Sequence, residues 1–125
     1  MIVKKKCTDG VAMISFNDVL SKNKTLTCEG FSDGTDFDRG RGLLSSMESE
    51  ASAVFEYLKG AELNGTNSGV SMFVLKGLVD AHFGKQIPVG VIIAGALMAG
   101  VMVSQKGFCY TNIKKAWFKK QMESM

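Results

Sequence analysis

Five charged residues lie close together in a glycine-rich stretch and are the best candidates for binding a ligand. They are Asp33, Asp36, Asp38, Arg39 and Arg41. Carboxylates at this density suit a divalent cation, but their spacing differs from the EF-hand ligand pattern, and the arginines compete for them. We therefore predict a solvated or salt-bridged loop with no metal. The loop is kept as a candidate ligand-binding or catalytic site.

His82 is the single histidine, so any Ser-His-Asp or Cys-His catalytic arrangement would have to use it. It lies near the end of a predicted helix, where an imidazolium is favourable without any catalytic role. Catalysis needs converging partners, and the chain has no GxSxG motif. We predict a structural role for His82 and assign no catalytic residue.

The segment 65–69, Gly-Thr-Asn-Ser-Gly, precedes another predicted helix. Backbone amides at such a helix start can hold a phosphate group. The segment lacks the GK[ST] signature of a nucleotide-binding loop, so it indicates a helix cap at Ser68 instead. We therefore predict no cofactor.

Three cysteines, Cys7, Cys28 and Cys109, are far apart and have no CxxC spacing. This argues against a zinc site and against a disulfide framework. The start of the sequence has no secretory signal pattern. Together with the cysteine pattern, this predicts that the protein is located in the cytoplasm or in an assembled particle. A thiol beside a cationic segment can have a lowered pKa, which is one possibility for Cys109, but burial as a small apolar residue is the commoner fate.

Composition indicates one folded domain over residues 1–125. The chain has 125 residues, 46% hydrophobic and 22% charged, with a net charge of +3. Basic residues cluster at 4–6 and 114–120, whereas acidic residues occupy the middle of the chain. A nucleic-acid-binding protein usually spreads positive charge over a broader face, so nucleic acid is not an expected partner.

The elements that position these residues differ along the chain. Residues 1–42 combine short β-branched runs with polar turn clusters, which predicts a β-rich part that ends in a loop over 29–42. Residues 43–84 have helical periodicity and predict two helices, the first ending near Gly60 and the second running from Ser68 to Gly84. Residues 110–122 predict an amphipathic helix with a cationic outer face.

The segment Ile87–Val103 is uncharged and contains three glycines, Gly90, Gly95 and Gly100. It is shorter than the about 20 apolar residues of a typical membrane span. Each glycine inside a water-exposed helix would cost about 1 kcal/mol relative to alanine. We therefore predict a buried β-hairpin with a turn near Gly95, covered by the helices. The alternative is a membrane-inserted or buried helix over the same residues.

Together these elements predict an α+β fold with an N-terminal β-rich part, two central helices, an apolar hairpin and a C-terminal amphipathic helix. The alternative is a mainly α fold with one membrane-inserted or buried helix at 87–103. A short part of the chain, Ser15-Phe16-Asn17-Asp18-Val19 followed by Gly30-Phe31-Ser32-Asp33-Gly34, resembles phage tail-tube proteins. The helical middle departs from that pattern, and the resemblance assigns no residue a role.

The function predicted from these features is that of a non-enzymatic structural or interaction subunit in a homo-oligomeric assembly, such as a virion. The reason is that the helices carry more apolar surface than one small core needs. The candidate contacts are six residues of the last helices: Phe73, Val74, Leu78, Ile113, Trp117 and Phe118.

Two alternatives stay open. The first is a membrane-associated protein in which 87–103 inserts while Trp117, Phe118 and the nearby lysines lie at an anionic surface. The second is a ligand-binding or catalytic domain that uses the Asp33–Arg41 loop.

Overall fold

A computed structural model describes residues 13–31, 37–104 and 109–124. These residues form six helices and one two-stranded antiparallel sheet, which confirms the α+β class. In this part of the chain no helix has the length and apolar character needed to cross a bilayer. The elements in chain order are α1 (Phe16–Lys22), β1 (Leu26–Thr27), β2 (Gly30–Phe31), α2 (Phe37–Ser45), α3 (Glu48–Leu58), α4 (Met72–Phe83), α5 (Val89–Met98) and α6 (Lys115–Glu123).

Helix α5 lies at the centre of the fold. Eight of its ten residues are buried, and it contacts α1, α3, α4 and β2, with α3 as its most extensive neighbour. A helix surrounded in this way has no face left for polar side chains. This position accounts for the uninterrupted apolar sequence.

The hairpin predicted over 87–103 is therefore wrong, and the segment contains a buried helix that is shorter than the alternative over 87–103. The glycines that favoured strands are points where another element lies against α5. A β-carbon at Gly95 would lie 2.6 Å from Val54 Cβ on α3, and one at Gly90 would overlap the carbonyl oxygen of Thr27. Close packing at these two positions offsets the helical cost of glycine.

Gly100 ends α5 in a left-handed conformation with φ 83°. The N–H of Val101 donates to the carbonyl of Ala96 at 3.0 Å, and the N–H of Gly100 donates to that of Leu97 at 3.1 Å. This is the Schellman pattern, in which glycine tolerates the positive φ that the turn requires. The third glycine of the segment thus terminates a helix.

The N-terminal part contains less strand than predicted. Ser15 caps α1 by accepting a hydrogen bond from the N–H of Asp18 at 3.1 Å, and Phe16 and Val19 of that helix are buried. The sheet has two residues in each strand, with Leu26 opposite Phe31. Helix α2 begins inside the predicted 29–42 loop, and residues 1–12 and 32–36 lie outside the described part.

The helices predicted over 43–84 and 110–122 are present with shifted boundaries. The first is divided at Ser46 and Met47 between α2 and α3. The second begins after Ser71, whose hydroxyl accepts from the N–H of Val74 at 3.2 Å, and it ends at Gly84 as predicted. The last begins at Lys115 because residues 110–113 form isolated bridges with Leu63, Ser71 and Val103.

Candidate functional site

Arg41, a predicted ligand-binding residue, has a structural role. Its guanidinium donates hydrogen bonds to the carbonyl oxygens of Asn23, Lys24 and Leu26, each at 3.1 Å, and also to that of Leu20. These carbonyls lie at the end of α1 and in the following turn and strand. Arg41 therefore ties α2 to that segment and has few donors left for a ligand.

The other charged loop candidates do not form a visible site. Asp38 and Arg39 are exposed in the first turn of α2. Asp33 and Asp36 lie outside the described residues, so their relation to Arg41 stays a prediction. Within the described ranges, no group of three or more histidine, cysteine or acidic side chains is arranged to hold a metal ion.

His82 stacks on an aromatic ring. Its imidazole lies 3.8 Å from the ring of Tyr57, centroid to centroid, with 12° between the planes. Phe83 contacts both rings edge-on, and Trp117 lies 6.0 Å from Tyr57. Burial raises the pKa of the Tyr57 phenol. This cluster joins α3, α4 and α6, so the arrangement supports the structural role predicted for His82.

Cys109 lacks the lowered pKa that is typical of a reactive thiol. Burial raises the pKa of the Cys109 thiol above its ordinary value, and Cys28 is buried. The possibility of a lowered Cys109 pKa is therefore wrong, because burial disfavours the charged thiolate. A thiol with a raised pKa is a poor nucleophile at neutral pH.

The last amide of the 65–69 segment and the amide that follows it are used within the chain. The N–H of Gly69 donates to the carbonyl of Thr111 at 2.9 Å, and that of Val70 donates to the carbonyl of Ile113 at 3.1 Å. The helix cap belongs to Ser71, not to Ser68. These bonds occupy the amides of Gly69 and Val70, which are therefore not free to hold a phosphate.

The six predicted contact residues divide into two groups. Leu78 and Ile113 are fully buried, and Trp117 is nearly so; all three belong to the chain's own core. Phe73 and Val74 are exposed, and Phe118 is partly buried. The surface that is free to meet a partner therefore centres on the first turn of α4.

This surface is the α4 face, defined here as Phe73, Val74, Gly77 and Ala81. Phe73 is 84% exposed and Val74 is 45% exposed. Gly77 lies one turn after Phe73, and a β-carbon there would meet nothing within 4 Å. The face carries no charge, and the neighbouring Lys76 and Asp80 neutralise each other in an ion pair of 2.6 Å.

A second feature is the α4–α6 groove, an open depression of about 480 Å³ between these two helices. Its walls are mostly apolar, and two lysines of α6 lie at its side. The residues that line it include Val70, Val74, Tyr110, Phe118, Lys115 and Lys119. Tyr110, Lys115 and Lys119 line this groove but were not among the predicted contact residues. The four-residue spacing of the lysines is the signal that places them on one side of a helix.

Comparison of the chain with models of protein families, with curated proteins and with solved structures gave no match. The resemblance to phage tail-tube proteins is thus neither strengthened nor replaced by another family. Evidence for function therefore comes from the α4 face and the α4–α6 groove.

Proposed function

We propose that the protein is a non-enzymatic interaction subunit that associates with a second copy of itself through the α4 face. The main support is Phe73, which is 84% exposed at the start of α4. A large aromatic side chain held in water by a rigid helix is typical of a protein contact. Arg41 was a candidate for ligand binding, and His82 was the single histidine available for catalysis. Both have structural roles in this fold, which favours an interaction function.

The α4 face is complementary to itself. Phe73 and Gly77 are one helical turn apart. In a two-fold antiparallel pair of α4 helices, Phe73 of each copy lies opposite Gly77 of the other. Glycine lets the two helix backbones approach closely, and the aromatic ring fills the space above it.

The electrostatics of the face also suit contact with an identical surface. Lys76 and Asp80 border it as a neutral pair, so two copies bring no net charge from this edge into the contact. An unpaired buried charge would cost several kcal/mol. The α4 face avoids that cost.

Sedimentation velocity over a range of concentrations tests this proposal. We expect the wild type to dimerise or assemble further, and Gly77→Leu and Phe73→Ser to remain monomeric. Gly77→Leu is the sharper variant, because leucine favours the helix more than glycine and so should not lower the melting temperature. A monomeric Gly77→Leu protein with an unchanged or higher melting temperature isolates association from folding.

Ala53→Leu is the matched control, since it adds similar bulk at an exposed position of another helix, α3. It should assemble like the wild type. A wild-type protein that stays monomeric at the highest attainable concentration refutes the proposal, as does a Gly77→Leu variant that still assembles.

A further inference from the structure

We propose that the α4–α6 groove binds an acidic amphipathic helix of a different protein. The site lies beside the α4 face, but Phe73 and Gly77 do not line it. Val74 belongs to both surfaces, so the groove adjoins the α4 face, and substitutions at Gly77 and at the groove lysines test the two contacts separately. The inference rests on the shape of the groove, on the rigidity of its walls and on its charge.

The shape suits a row of side chains better than an enclosed small molecule. The groove is open to solvent and is lined by Val70 and Val74 on one side and Phe118 on the other. Small-molecule sites usually enclose most of their ligand. A helix that inserts apolar residues from successive turns needs only an open apolar furrow.

The walls of the groove are fixed before any partner arrives. The N–H of Met72 donates to the carbonyl of Cys109 at 3.0 Å, and both the N–H and the hydroxyl of Thr111 donate to the carbonyl of Val70, at 2.9 and 2.8 Å. Trp117 is buried and holds α6 against the core. A preformed site loses little conformational entropy on binding.

The charge of the groove selects an acidic partner. Lys115 and Lys119 lie one turn apart on α6, are exposed, and take part in neither of the ion pairs found among the described residues. No carboxylate lines the groove in this part of the chain. Carboxylates four residues apart on a bound helix would match both lysines.

A second copy does not supply the matching helix through α3, the acidic helix of this chain. The apolar residues Ala51, Val54 and Leu58 of α3 face the core, and Glu56 already pairs with Lys59 at 2.6 Å. This helix therefore has no exposed apolar row beside free carboxylates. The complementary chemistry points to another protein.

Fluorescence anisotropy with two labelled synthetic peptides tests the inference. Both peptides carry leucines at i, i+3, i+4 and i+7; one has glutamates beside this row and the other has lysines. We expect the full-length protein to bind the acidic peptide. With Lys115→Glu and Lys119→Glu combined, the dissociation constant of the acidic peptide should rise at least about tenfold, and the basic peptide should bind instead.

The control is the pair Lys24→Glu and Lys85→Glu, which changes the net charge equally at exposed positions away from the groove. It should bind the acidic peptide like the wild type. When the acidic peptide is added to the wild type, the amide chemical shifts of Gly69, Ser71 and Phe118 should change. Equal affinity for both peptides, no binding of either, or shift changes elsewhere overturns the inference.

Two other outcomes would assign the lysines to different occupants and also overturn it. One is binding to phosphatidylserine vesicles through Lys115 and Lys119 without binding of the acidic peptide. The other is self-association that is lost when these two lysines are reversed, which would place a second copy in the groove.

Discussion

Tyr57 and His82 stack with their ring planes 12° apart and their centroids at 3.8 Å, and so join the end of α3 to the end of α4. The contact lies at the surface, since His82 is exposed and Tyr57 is partly buried. Phe83 packs edge-on against both rings. The single histidine of the chain thus packs its imidazole ring over the junction between α3 and α4.

His82→Ala should lower the free energy of unfolding by about 0.5–1.5 kcal/mol, because it removes one member of an aromatic pair. His82→Phe should retain most of the stability, since a phenyl ring can stack in the same place. Urea unfolding measures both, with the exposed Lys85→Ala as the control. An equal loss in His82→Phe would show that ring stacking is not the source of the stability.

Substitution of glycine by alanine should change the stability according to which atoms the new β-carbon would contact. Gly95→Ala should destabilise by about 1–3 kcal/mol, because its β-carbon would lie 2.6 Å from Val54. Gly90→Ala should cost more, since the overlapping group is the backbone of Thr27. Gly77→Ala should stabilise by about 0.5–1 kcal/mol. Urea unfolding gives the order, and a stabilised Gly95→Ala protein would contradict the packing of α5 on α3.

Arg41→Lys should lower the free energy of unfolding by about 1–3 kcal/mol, although the positive charge is kept. An ammonium group cannot reach the set of carbonyls that the planar guanidinium spans, and hydrogen bonds from charged groups are among the stronger ones. Arg39→Lys, at an exposed position of the same helix, should change stability by less than about 0.5 kcal/mol. Equal unfolding midpoints for the two variants would remove the structural role of Arg41.

Asp80 should make stability depend on pH. Burial is the largest single influence and raises its pKa, but hydrogen bonds from Lys76 and from the N–H of Ile87, with the Lys76 charge, together lower the pKa below its ordinary value. The native state then binds fewer protons than the unfolded chain. The resulting stabilisation is complete above the unfolded pKa of about 4 and is lost as the pH falls through the folded pKa.

We therefore expect Asp80→Asn to be less stable than the wild type at neutral pH, with a difference that shrinks below about pH 4. Urea unfolding at several pH values measures this difference. Asp38→Asn, at an exposed position, is the control. If the difference in stability between Asp80→Asn and the wild type stays constant down to the acid range, the carboxylate charge of Asp80 is not the source of the stabilisation.

The sequence was sufficient for the α+β class, for two central helices and for the end of α4 at Gly84. It was not sufficient for α5, because an apolar run without polar alternation is equally typical of a buried strand and of a buried helix. The cost of about 1 kcal/mol for each glycine, which counted against a helix, applies to helices that are exposed to water. At Gly90 and Gly95 the absent side chain is instead what lets β1 and α3 approach.

Helix α4 shows a second limit of periodicity. The stripe through Phe73, Val74 and Gly77 is exposed, whereas the stripe through Met72, Leu75, Leu78 and Val79 is buried, so the predicted contact residue Leu78 faces the core. Since both stripes are apolar, only the neighbouring elements decide which one faces the core. The groove was beyond prediction for a related reason: its residues come from the start of α4, the 110–113 segment and α6, and local patterns do not bring such segments together.

The central position of α5 also constrains how the protein is made. The chain leaves the ribosome from its N-terminus, so α1, α3 and α4 are synthesised before α5. Until then, α1 and α3 lack the helix that packs against them in the native state, and the growing chain exposes apolar surfaces that favour aggregation. Folding of this domain must therefore be a late event in translation, completed only after the most hydrophobic helix has emerged.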